Sequence, residues 1–196
     1  MTSGRTGSTS QGDRFSRSDV LEFLLEAFQN LCDHDYAFKY TENEEDERAS
    51  VYHYVRTRLD RDNLWRVFLS YSTTSTRKGP RQRPDMVFTQ STPDHKKVSA
   101  EIFVEMKNWP SIRQIDADVE KLLFYRQTFA DVNPTLVFMG VLGKGADPDA
   151  ISKKVLQSHG YPKDVHIWIQ PHDQIFRGQW DHDRDTDPWR MKLRWE

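Results

Sequence analysis

The chain has a single cysteine, Cys32, and no apolar run near the roughly 20 residues that a membrane-spanning helix requires. One thiol excludes a disulfide framework and any thiolate-rich metal site within the chain. The opening residues, MTSGRTGSTSQGDRFSR, show no signal-peptide pattern. An excess of either charge is also missing. Lys and Arg number 28 against 30 Asp and Glu, for a formal net charge of −2. That excludes a basic coat over the whole surface and leaves room for a local basic patch. The class left standing is a soluble, cytoplasmic α/β protein with no membrane partner.

What is present is the material of a core. Eleven Phe, seven Tyr and six Trp in 196 residues exclude global disorder. The length suits one domain with an appendage. Residues 1–17, rich in Ser, Thr, Gly and Arg, are expected to be a flexible tail. A single domain then spans 18–196, with its core at about 43–142 and a helix/strand extension at 143–196. No internal repeat is found.

Periodicity supplies the elements. Asp19 and Glu22 form a capping-box pair before Leu21, Leu24, Leu25, Phe28 and Leu31, one helical face. Thr41 and Glu44 signal a second cap, for a helix over about 43–60 with Val51, Val55 and Leu59 on one stripe. Leu64–Tyr71 is aromatic and β-branched, a strand. Asp85–Thr89 and Val98–Lys107 are two more apolar runs, and the turn residues of QSTPDHKK join them as an antiparallel hairpin. A helix over about 112–130 carries Ile115, Val119, Leu122, Leu123 and Phe129. Thr135–Leu142 is almost wholly apolar, as in a strand covered on both faces. A helix over about 148–158, a strand over 164–169 and an alternating strand at Trp189, Met191, Leu193 and Trp195 complete the order. The expected fold is α/β, a central mixed sheet flanked by helices.

Chemistry concentrates at residues 84–107. Strand alternation puts Glu101, Phe103, Glu105 and Lys107 on one face of an otherwise apolar strand, which is costly unless the charges find partners. A divalent cation is one such partner. Asp85 and Glu105 on adjacent strands offer a hard cation two oxygen ligands, leaving the remaining octahedral positions to water and phosphate, a set that suits Mg²⁺ or Mn²⁺. Lys107, two residues past Glu105, stands about 6–7 Å further along. There it orients an attacking water or stabilises the phosphorane-like charge. Pro-Asp pairs also occur at Pro93 and Pro148, and a second acid-x-Lys at Asp94 and Lys96; the latter falls in the hairpin turn. The pair at Asp85 gains weight from its hairpin and the flanking helices.

RPDMVF at 83–88, EIFVEMKNW at 101–109 and DVEKLLFY at 118–125 together resemble the PD-(D/E)xK nuclease superfamily, with its restriction-endonuclease-like α-β-β-β-α-β core, over about residues 43–142. The resemblance implies a metal-dependent DNA endonuclease, RNA not being excluded, with Asp85, Glu105 and Lys107 as its active triad. It implies a further acid from the preceding helix, Glu47 first and Glu44 second. Such enzymes serve restriction, defence or repair. One chain of this size implies a homodimer or a partner that supplies specificity. The RecB-like branch carries Gln-x-x-x-Tyr on the next helix; here Lys121 stands where Gln would, four residues before Tyr125. Two rivals are a non-catalytic nuclease-fold module and a Holliday-junction resolvase.

Arg77, Lys78, Arg81 and Arg83 crowd the loop before Asp85, and contact with a phosphate backbone is weighed evenly against a solvated loop. Lys96 and Lys97 extend that patch. Trp109 reads as a core or rim anchor before a base-stacking residue. Glu101 reads as a solvated or ion-paired edge residue rather than a ligand. Asp33-His34-Asp35, Asp181-His182-Asp183, His166 and His172 share no recurring metal spacing and read as solvated. Cys32 reads as a small buried hydrophobe.

Overall fold

The computed structural model describes residues 14–36, 43–60, 64–69, 83–143, 146–160, 162 and 165–171. Helix α1 (Arg17–Asn30) runs on into a π-helical turn, Leu31–Tyr36. Helix α2 (Glu44–Leu59) precedes strands β1 (Trp65–Leu69), β2 (Met86–Ser91) and β3 (Val98–Asn108). Helix α3 (Ile112–Thr128), β4 (Thr135–Leu142), α4 (Pro148–Ser158) and β5 (Val165–Pro171) follow. The five strands form one mixed sheet in the order β1-β2-β3-β4-β5. β1–β2 and β2–β3 are antiparallel, and β3–β4 and β4–β5 are parallel. The parallel pairs have helices α3 and α4 as their crossovers, as parallel strands require.

Helices cover both faces. On one, Leu24 and Phe28 of α1 and Val51 and Val55 of α2 share a core with Met86, Val104, Met106 and Met139. On the other, Ile115 and Val119 of α3 and Leu156 of α4 join Val87, Phe103, Leu136, Phe138 and Ile167. This explains the continuous apolar run of β4: its residues serve the two cores alternately, and all eight are buried. Burying each such large side chain contributes about 1.5–3 kcal/mol. The exposed pairs Arg56–Asp60 and Arg58–Glu26 are worth about 0–1 kcal/mol. The layers are therefore held by apolar burial.

Two helix starts differ from their expected caps. α1 begins at Arg17, because the capping box is Ser16 with Asp19 rather than Asp19 with Glu22. The Ser16 hydroxyl accepts from the Asp19 amide, and the Asp19 carboxylate accepts from the Ser16 amide at 2.6 Å. Just before it, the Phe15 ring meets Phe23 edge-on at 4.9 Å, and the Phe15 carbonyl accepts from the Trp65 indole. Packed structure thus reaches back into the expected tail, whose residues 1–13 lie outside the described residues. α2 is capped by Asn43, whose carbonyl oxygen accepts from the Glu45 and Asp46 amides. Thr41 and the expected strand around 189–195 also lie outside the described residues.

The hairpin of β2 and β3 carries a bulge. Phe88 pairs with Ile102 and Thr89 with Ala100, so the register skips Glu101. A bulge re-aims a side chain. Glu101 accordingly leaves the face that strict alternation gave it and pairs with Arg17 of α1 and the Ser99 hydroxyl. Among the described residues no helix is long and apolar enough to cross a membrane.

Candidate active site

Asp85 stands immediately before β2, after the buried Pro84. It is 7% exposed. Its Oδ2 accepts from the Met106 backbone amide at 2.7 Å, and its Oδ1 from the Arg48 guanidinium of α2 at 2.6 Å. These contacts tie the carboxylate to the strand that carries Glu105.

Glu105 alternates with Phe103 toward α3 and is 1% exposed. Helix α3 meets it with Lys121 and Tyr125, one turn apart. The Lys121 ammonium lies 2.7 Å from the Glu105 carboxylate and donates a second bond to the Arg83 carbonyl at 2.9 Å. The Tyr125 ring stacks on Phe103 at 5.0 Å. Burial, reinforced by the negative charge of Asp85, pushes the Glu105 carboxyl up to about 8, although Lys121 pulls the other way. Burial and the charges of Glu105 and Asp85 also push the Tyr125 phenol up.

Lys107 extends from the end of β3 to the first turn of α2, where its amine donates to Glu44 at 3.0 and 3.3 Å. Burial alone lowers its affinity for the proton. The bond and charge of Glu44, with Asp118 and Asp85, outweigh that, so the amine is held above its ordinary value. Asp118 of α3 completes the group. Burial raises its carboxyl, against the pull of Lys107 and Lys121, and its Oδ2 is buried without a hydrogen-bond partner.

The three motif residues therefore converge at one end of the β2–β3 pair, each beside a group of opposite charge: Asp85 with Arg48, Glu105 with Lys121, Lys107 with Glu44. Among the described residues, no three His, Cys, Asp or Glu side chains form a group that could hold a metal ion. A three-ligand cage does not fit. A hard divalent ion carried by Asp85 and Glu105 does, because Mg²⁺ takes one or two protein carboxylates and fills its octahedron with water and phosphate. Asp118 Oδ2 is buried without a hydrogen-bond partner, and the negative charges of Asp85 and Glu105 oppose one another.

The remaining expected residues take varied positions. Glu47, preferred over Glu44 as the helix acid, is 1% exposed on the core stripe with Val51 and Val55, where its charge bears on Cys32. One helical turn earlier, Glu44 is the acid that meets Lys107. Arg83 is exposed at the rim, and Arg77, Lys78 and Arg81 lie outside the described residues. Asp94 and Lys96 occupy the hairpin turn, 3.5 Å apart. Cys32 is fully buried.

Arg48, Asp118 and the contact of Lys121 with Glu105 were missed by sequence reasoning. A signal existed: Asp118, Lys121 and Tyr125 recur at i, i+3 and i+7 beside the apolar stripe of α3, and Arg48 is four residues from Glu44.

Past Lys107 the backbone is unusual. Trp109 has φ +49° and is 61% exposed, while its amide donates to the Val141 carbonyl at 2.8 Å. A left-handed conformation costs a bulky residue on the order of 1–2 kcal/mol. Pro110, which follows, is buried against β4 at Gly140, where an added Cβ would lie 3.0 Å from the Phe138 ring and 3.5 Å from Pro110. Comparison with protein-family models, curated proteins and solved structures finds no match to this chain.

Proposed function

We propose that the chain is a divalent-metal-dependent nuclease that hydrolyses phosphodiester bonds in DNA, with the restriction-endonuclease-like core that its motifs resemble. The observation that carries this reading is the convergence of Asp85 with Glu105 and Lys107 at one end of the sheet, in the order helix, three strands, helix, strand. Asp85 and Glu105 would hold Mg²⁺ or Mn²⁺. When bound, the ion supplies Lewis-acid activation of water and of the scissile phosphate.

The chain's own groups supply the rest. Glu44 holds the Lys107 amine protonated and fixed, so that it orients the attacking water or counters charge that grows on the phosphoryl oxygens. Arg48 and the Met106 amide fix the Asp85 carboxylate. Lys121 balances the charge of Glu105 and ties α3 to the strand entering Asp85 through the Arg83 carbonyl. Arg83, with the neighbouring Arg77, Lys78 and Arg81 of the same segment, offers cations for the phosphate backbone. The near-neutral net charge confines any such basic surface to a patch.

A second reading has its own observation. Because each motif residue already has an opposite charge beside it, the same cluster suits a nuclease fold kept for binding or assembly. Cleavage of supercoiled plasmid and branched DNA separates the two. Wild type is expected to cut with Mg²⁺ or Mn²⁺ and not in EDTA. Asp85→Asn and Lys107→Ala are expected to abolish cutting while keeping the native circular-dichroism spectrum. Cleavage that survives both substitutions removes the assigned triad, and a wild type inert toward every nucleic acid favours the binding module.

A further inference from the structure

The Glu105 carboxylate already faces a cation. The Lys121 ammonium lies 2.7 Å from both of its oxygens. The Arg83 carbonyl accepts from the same ammonium at 2.9 Å. A positive charge thus sits among carboxylate and carbonyl oxygens, the donor chemistry that hard cations take. The two partners differ in freedom. The Glu105 side chain is 1% exposed, whereas the Lys121 side chain is 23% exposed on a flexible four-carbon stem. The lysine is therefore the partner that can yield. Asp85 is held differently. Arg48 binds its Oδ1 and the Met106 amide its Oδ2, contacts that orient the carboxylate without setting one charge across both oxygens.

Resting on the ion site of the nuclease reading, we propose that Lys121 is a resident counter-cation that a divalent ion displaces from Glu105. It thereby sets the ion concentration at which the site loads. Mg²⁺ approaches carboxylate oxygens to about 2.0–2.1 Å, closer than the ammonium stands. The edge between the two Glu105 oxygens does not hold both cations, and like charges at such range repel strongly in a buried site. While it stays, Lys121 keeps Glu105 from being a stranded charge. The lysine that steadies the fold is thus the one that lowers the affinity of the site for its ion.

The test compares the full chain as wild type, Lys121→Met and Lys107→Met. Calorimetric titration with Mn²⁺ reads ion affinity without substrate. Lys121→Met is expected to bind Mn²⁺ about 10-fold more tightly or better, as loss of a like charge in contact with the site implies. Lys107→Met removes the same charge from the cluster at an amine that donates to Glu44, and is expected to gain clearly less. Lys121→Met gives up a buried ion pair, and where it does not stay folded the wild type alone decides. Heteronuclear NMR of its lysine side chains is followed as Mg²⁺ is added. The Lys121 ammonium, shielded by its oxygen partners, is expected to exchange its protons with water faster as the site fills.

Equal Mn²⁺ affinity in wild type and folded Lys121→Met overturns the displacement and, with metal-dependent cleavage by the wild type, leaves the nuclease reading standing. Equal gains in Lys121→Met and Lys107→Met assign the effect to net charge and overturn the displacement as well. So does a Lys121 ammonium that stays shielded at saturating Mg²⁺. The expected gain in a chain whose wild type cuts no nucleic acid keeps the displacement and overturns the nuclease reading. No uptake of Mn²⁺ by any of these chains overturns both.

Discussion

Lys121 of α3 places its ammonium 2.7 Å from the carboxylate of Glu105, a side chain only 1% exposed in the middle of the sheet. The pair matters because breaking a buried ion pair leaves an uncompensated charge, which costs far more than an exposed pair returns. Lys121 also holds the Arg83 carbonyl, so one ammonium links helix α3, strand β3 and the approach to Asp85.

Fold stability should depend on pH through Glu105. Its folded value, about 8, lies above its ordinary value of 4.5. Between those two pH values the native state holds more protons there than the unfolded chain, so stability from this group falls as pH rises through the window. Glu105→Gln keeps the shape and removes the titration. Chemical denaturation at pH 5 and pH 9 is expected to find the variant's advantage over wild type larger at pH 9, by on the order of 1–3 kcal/mol.

Lys121→Met should show the complementary pattern. At pH 5 Glu105 is protonated and needs little from a cation, whereas at pH 9 its charge is stranded. Denaturant titration is expected to find the variant destabilised by about 2–4 kcal/mol at pH 9 and by clearly less at pH 5. Equal losses at both pH values would mean that Lys121 acts through packing and the Arg83 carbonyl alone.

Glu44 and Glu47 make a paired test of the helix acid. Burial lowers the Lys107 amine, and Glu44 is the leading influence that raises it. Glu44→Gln is expected to move the Lys107 titration to lower pH, measured by heteronuclear NMR of the lysine side chain. Glu47→Gln, at a position whose charge bears on Cys32, is expected to leave that titration in place.

Much of this was legible in the sequence, for identifiable reasons. The apolar run of 135–142 announced a strand covered on both faces, and the turn residues of QSTPDHKK announced the hairpin that brings Asp85 beside Glu105. Glu101 was misassigned to its face because alternation assumes an unbroken ladder, and a bulge leaves no mark in residue spacing. Glu47 and Glu44 were both legible as acids on α2; Glu47 is buried on the apolar stripe, and it is Glu44 whose contact with Lys107 is seen. Arg48 and Asp118 carried a spacing signal that was not used, and what they meet depends on how α2 and α3 sit on the sheet.

Gly140→Ala tests how tightly the end of β3 is built. The new methyl would meet the Phe138 ring at 3.0 Å, with Pro110 at 3.5 Å behind it. Thermal denaturation is expected to report a loss of about 1–3 kcal/mol from overpacking. The accompanying shift of Pro110 is expected to alter Trp109 fluorescence, compared in a variant with the other five tryptophans replaced by Phe.

The central claim is that Asp85 and Glu105 share one divalent ion. Calorimetric titration of the full chain with Mn²⁺ in metal-free buffer, for wild type, Asp85→Asn and Glu105→Gln, tests it most directly. The expected result is a single site in wild type, weakened at least about tenfold in each variant, as loss of one of two carboxylate ligands requires. Wild type taking up no Mn²⁺, or both variants binding it as wild type does, would contradict the shared site.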